Sequence, residues 1–194
     1  MENSGVPRAW TATPDQPGVN CLKDLSARSL KLAARQIARH ARQGDIVVAS
    51  IHWGGNWGYE VSQSEREFAH GLIAIAGVDL VHGHSSHHVR GIEIHDQKAI
   101  FYGCGDLLND YEGISGHEQY RGDLGLMYFP TLDPQDGNLL RLSMTPTRTR
   151  HFRIHRAPPE AAAWLSTTLE RECRKLGSRV AQQSDSALAF EWKS

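Results

Sequence analysis

An α/β fold is predicted by three features of the 194-residue sequence. Two apolar runs, 45–52 and 78–82, lack the alternation of a half-exposed strand, and between them lies a segment of helical periodicity. That is the pattern of a β-α-β unit whose strands are buried on both faces. Beyond residue 88 the apolar segments shorten and are separated by Asp, Asn, Gly and Pro turns, as in antiparallel strands. The predicted architecture is a β-α-β unit followed by antiparallel strands.

Taken in order, three of the eight prolines (Pro7, Pro14, Pro17) fall in the first twenty residues, so 1–20 reads as an irregular leader and 21–194 as the folded part. Ser26 is placed to cap a helix whose Leu30, Ala33, Ala34, Ile37, Ala38 and Ala41 repeat at helical spacing, with Gly44 ending it. The first strand spans 45–52. A Gly-rich loop, 53–59, leads to a second helix over 62–76, with Phe68, Leu72, Ile73 and Ala76 inward and Gly77 closing it. The second strand, 78–82, ends at Gly83. Short strands follow at 89–95 and 99–103 around an Asp96-Gln97-Lys98 turn. Residues 104–122 read as loop. Another strand pair, 125–131 and 139–144, brackets the turn-forming 133–138. A strand over 150–155, a helix opened by Pro158 and Pro159 and running to 175, and strands near Val180 and 187–192 complete the chain.

Composition excludes several classes. Lys+Arg 21 against Asp+Glu 22 leaves a net charge of −1, so no nucleic-acid footprint and no polybasic membrane anchor is indicated. Cys21, Cys104 and Cys173 are far apart and odd in number, which predicts reduced, buried thiols and not a disulfide framework or a thiolate zinc knuckle. No run has the length or apolarity of a membrane span or signal peptide, and the chain as it stands is expected to be soluble and cytoplasmic.

The chemistry is concentrated in histidine. His82, His84, His87 and His88 occupy seven consecutive residues out of a total of eleven histidines in the chain. The run lies just past a buried strand, where α/β folds place ligands. His52 also ends a buried strand and is also followed by glycines, Gly54 and Gly55. Strands joined through a helix of this length are parallel near neighbours, about 4.8 Å apart, so His52 and the 84–87 loop emerge side by side. Imidazoles ligate a metal at about 2.0–2.1 Å, so His52, His84 and His87 are the candidate ligands. His82 is read as packed behind the loop or as a partner of a ligand. A solvated histidine loop is the bland alternative.

At these residues the chain resembles the CapA-type family of capsule and poly-gamma-glutamate synthesis, whose fold resembles that of calcineurin-like metallophosphoesterases. The strand ending H-W-G matches Ile51-His52-Trp53-Gly54. The run G-H-H-P-H-V-x-x-x-E matches the segment from Gly83 to Glu93. Y-S-L-G-N-F matches Tyr102-Gly103-Cys104-Gly105-Asp106-Leu107, and the run Asn109-Asp110-Tyr111-Glu112-Gly113 through Tyr120-Arg121 resembles one branch of the family. The departures are Asn56 where an acid is usual (Glu60 is the nearby substitute), Ser85-Ser86 for His-Pro, and Asp106 for asparagine. The family's early strand aspartate, N-L-E and N-N-H-x-x-D segments have no counterpart here.

The resemblance implies a partial metallophosphoesterase-like αββα sandwich, the C-terminal portion of such a domain with its N-terminal half missing. It implies a metal-dependent hydrolase using divalent Mn, Fe or Zn on a phosphoester or amide of an anionic polymer, weak or inactive as this fragment. Envelope association is implied for the full-length family. A non-catalytic polymer-binding or assembly module is the alternative. His87 and His88 are candidate proton donors and Glu60 a candidate catalytic carboxylate. Asn56, Asp106 and Trp53 are candidates for contact with substrate or with a ligating histidine. Trp53 and Trp57 either line a polymer groove or pack over the sheet end. His70 is read as a core or capping residue, and His117 as a loop residue that can enter the site.

Overall fold

The computed structural model describes residues 7–109, 112–183 and 187–192. Asp110 and Tyr111 of the family-like loop run, and the first six residues of the leader, lie outside the described residues. Helix α1 (Ala27–His40) starts at Ser26, whose side chain accepts from Ser29 N, and α2 (Gln63–Ala76) starts with a full capping box in which Ser62 and Glu65 satisfy each other's backbone N–H. Gly77 ends α2 in the left-handed conformation that glycine adopts without steric cost.

Two sheets follow. The first holds β1 (Val48–His52), β2 (Leu80–His84), β3 (Ile92–His95) and β4 (Lys98–Phe101) in the order β1-β2-β4-β3. β1, β2 and β4 are parallel and β3 is antiparallel to β4. The second holds β5 (Leu124–Leu132), β6 (Leu139–Arg150), β8 (Arg179–Gln182) and β9 (Leu188–Glu191) in the order β5-β6-β9-β8, with β7 (Arg153–Arg156) paired to the far end of β6. Helix α3 (Pro159–Arg174) has Pro159 in its first turn. This is an α/β sandwich.

Strand alternation sorts the core into two clusters. Val81, Ile100 and Tyr102 face α2, meeting Phe68, Leu72 and Ile73, while Leu80, Ala99 and Phe101 face the other way onto the second sheet and α3. Each such fully buried aliphatic or Phe side chain contributes about 1.5–3 kcal/mol. Leu30 of α1 packs onto Gly71 of α2, where any Cβ would clash with it.

Three expectations need correction. The first strand is not buried on both faces. It begins at Val48, forms the sheet edge, and alternates between exposed and half-buried, with Val48 54% exposed. Its α2 side (Ala49, Ile51) is half-buried, and the second sheet does not extend over Val48, Ser50 and His52. The strand read at 139–144 runs on to Arg150 through Pro146, so the 150–155 segment is the turn and the return strand of a hairpin. Cys21 is only half-buried, and all three cysteines are free.

Candidate functional site

The uncovered face of β1 and β2 carries the histidines. Residues directly opposite in a sheet project from the same face, and the register pairs Ser50 with His82 and His52 with His84. His52 and His84 therefore lie edge to face with ring centroids 5.2 Å apart, and His82 lies 5.4 Å from His84. His82 Nδ1 is 3.0 Å from Ser50 Oγ, so it belongs to the same row and is not packed behind the loop. Burial and the neighbouring His52 and His82 hold the pKa of His84 below the ordinary imidazole value, and burial lowers that of His82. Both shifts favour the neutral ring, the form whose lone pair ligates metals.

The two glycines beside these histidines are fixed by close approach. A Cβ on Gly54 would meet the Glu65 carboxylate and the Arg90 guanidinium, and one on Gly83 would meet Phe101 O and Trp53 Nε1. Trp53 packs: it is 4% exposed, stacks on Tyr102 and donates Nε1–H to Tyr102 O at 3.0 Å. Beneath the Trp53–Gly55 loop Arg90 donates to Glu65 at 2.8 Å, and its other guanidinium nitrogen donates to the carbonyl of Glu60. Glu60 is exposed; the buried acid under this loop is Glu65. That pair was legible only as the capping box Ser62-x-x-Glu65; nothing local pointed to Arg90.

The rest of the 84–87 loop turns elsewhere. Asn56 receives His87 N–H on its carbonyl and Ser85 Oγ–H on its side-chain oxygen. His87 Nδ1 lies 2.9 Å from Asp106 Oδ2, which also accepts from Asn109, and its ring packs 5.4 Å from Trp57. Trp57 is stacked by His117 at 4.3 Å and lies close to Tyr120, so the 104–122 loop does reach the site. His88 is 1% exposed: Nδ1–H donates to Val89 O and Nε2 accepts from Gly58 N–H, so the ring is neutral, and burial pushes its pKa down to about 4. His70 stacks on His95 at 3.7 Å and faces Glu93 at the opposite end of the strands.

These residues fit a metal in part. His52 and His84 are two imidazoles on one open face. Among the described residues, however, no three His, Cys, Asp or Glu side chains converge as a single ion requires. His87 is drawn off towards Asp106 and Trp57.

Comparison with known proteins bears on what this half-site belongs to. Residues 1–111 match the family described as bacterial capsule synthesis protein PGA_cap. A probable polyglutamine synthesis accessory protein of Mycobacterium tuberculosis is 47% identical over 188 residues, covering 96% of this chain and 49% of that protein. The PGA biosynthesis protein CapA of Bacillus subtilis is 31% identical over 38% of this chain and 19% of its own length. The capsule biosynthesis protein CapA of Bacillus anthracis is 28% identical over 51% of this chain and 23% of its own length. The chain thus spans about half the length of its mycobacterial relative. With the family pattern running through the strands that carry His52 and His84, the chain belongs to the bacterial capsule synthesis PGA_cap family.

Proposed function

We propose that this chain is part of a metal-dependent hydrolase of capsule or polyglutamate synthesis, supplying part of the metal site and acting on a phosphoester or amide of an anionic polymer. The observation that carries the reading is the His52–His84 pair, two imidazoles with centroids 5.2 Å apart on the uncovered face of neighbouring strands. A divalent ion there would lower the pKa of a bound water toward ~7 and polarise the scissile oxygen. Among this chain's residues, His52 and His84 would hold the ion. Asp106 orients the His87 ring through Nδ1, from where His87 would serve as third ligand or as proton donor to the leaving group. His88, enclosed and neutral, positions the Gly58 backbone.

A second reading, a non-catalytic accessory module, is favoured by one observation: among the described residues no three His, Cys, Asp or Glu side chains converge as one ion requires. One experiment separates the two. Metal content and turnover of a generic phosphodiester are measured for the chain and its His84→Ala variant. Bound Mn, Fe or Zn with weak turnover, both lost on His84→Ala, supports the hydrolase. Metal-free, inert protein that retains polymer binding supports the accessory module.

A further inference from the structure

The net charge of −1 hides a strongly basic segment. From Leu139 to Pro159 there is no Asp or Glu, while Arg141, Arg148, Arg150, Arg153 and Arg156 fall within it, with His151 and His155. β6 and β7 fold this segment into a hairpin whose register sets Arg148 opposite His155 and Arg150 opposite Arg153. Opposite residues, and residues two apart on a strand, share a face, so these four side chains line one face of the hairpin. Like charges directly opposite destabilise a strand pair unless an anion lies between them. Asp123 relieves Arg148 at 3.3 Å, and among the described residues Arg150, Arg153 and Arg156 form no ion pair.

The hairpin tip adds a second, independent observation. The two-residue turn, His151-Phe152, has φ of 52° and 55°, the left-handed conformation that such turns normally give to Asn-Gly. Phe152, bulky and 60% exposed, is strained there with no packing in return. What the turn achieves is to aim two successive N–H groups at one acceptor: the Glu112 carboxylate accepts from His151 N at 2.8 Å and from Phe152 N at 3.2 Å. The protein's own carboxylate thus occupies the anion cradle at the head of the arginine row.

We propose that the β6–β7 hairpin is a binding site for a polycarboxylate chain, with Arg148, Arg150 and Arg153 forking successive carboxylates and Glu112 holding the tip cradle until a ligand carboxylate displaces it. Guanidinium groups match carboxylates bidentately, and several in a row bind a repeating anion by multivalency where one exposed pair contributes little. The site is separate from the histidine row and does not depend on the metal reading.

The test is fluorescence anisotropy with labelled polyglutamate on the full chain at low salt. Arg150→Glu/Arg153→Glu is expected to weaken binding about tenfold or more, as is raising the salt. Glu112→Gln is expected to strengthen it about two- to fivefold by freeing the cradle, while Glu118→Gln, a carboxylate of the same loop that accepts from Gly116 N, leaves it unchanged. Circular dichroism verifies that each variant is folded. The proposal is overturned if polyglutamate fails to bind, if the double variant binds as tightly as the parent, if Glu112→Gln and Glu118→Gln behave alike, or if duplex DNA binds as tightly with the same response to the variants.

Discussion

β1 and the first half of β6, 139–144, both read as strands in sequence, yet they end in opposite surroundings. β6 runs through the middle of the second sheet, where Leu142 and Met144 are buried between α3 and the first sheet. β1 lies at a sheet edge beside a groove lined by Leu25, Ala33, Ile37 and Ala49, and the row that carries Val48, Ser50 and His52 is open. An apolar run reports that a strand forms. Whether both its faces are buried depends on a second layer that the run does not encode. In this chain the layer covers Leu80 of β2 and the strand β4 and is absent over β1 and the His82–His84 end of β2, and the imidazoles stand where it is absent.

The largest effect should come from the closed region directly beneath that open face. Glu65→Ala leaves Arg90 buried without its carboxylate and should cost about 3–5 kcal/mol, read as a fall in the urea midpoint. A smaller loss would show that water already reaches the pair, and that the boundary between closed and open regions runs deeper than drawn here. Next comes acid sensitivity. His88 is neutral in the fold with its pKa down at about 4, below its ordinary value near 6.5. The unfolded chain binds more protons between those values, so the contribution is complete above ~6.5 and is lost as pH falls toward ~4, by about 3 kcal/mol. His88→Gln should flatten that part of the stability–pH profile, and an unchanged profile would remove His88 from the account. The smallest effect compares the regions directly. Val81→Thr, buried against α2, should cost about 1–3 kcal/mol, while Val48→Thr should stay within about 0.5 kcal/mol. Equal losses would mean that β1 is covered in solution.

The capping chemistry of Ser26, Ser62 and Gly77 is local, and so the starts of α1 and α2 and the end of α2 were legible to within one residue, whereas α1 ends at His40, short of the expected Gly44. The pairing of His52 with His84 was legible because a parallel crossover of that length leaves one arrangement. Three things were not. Pro146 reads as a strand breaker, yet it continues β6, so the basic hairpin was hidden and its charge averaged away in the whole-chain balance. Glu65, not Glu60, is the buried acid, because Arg90, remote in sequence, selects it. His87 faces Asp106 because the 104–122 loop folds back, a tertiary choice that spacing within Gly83–His88 cannot express.

The central claim is that β1 and β2 hold His52 and His84 close enough to share one ion. Paramagnetic broadening of the histidine ring resonances by substoichiometric Mn²⁺ tests it most directly. The account predicts that His52 and His84 broaden together and first, ahead of His40, His151 and His155. It is contradicted if those two signals broaden no earlier than His40, or if only one of them responds.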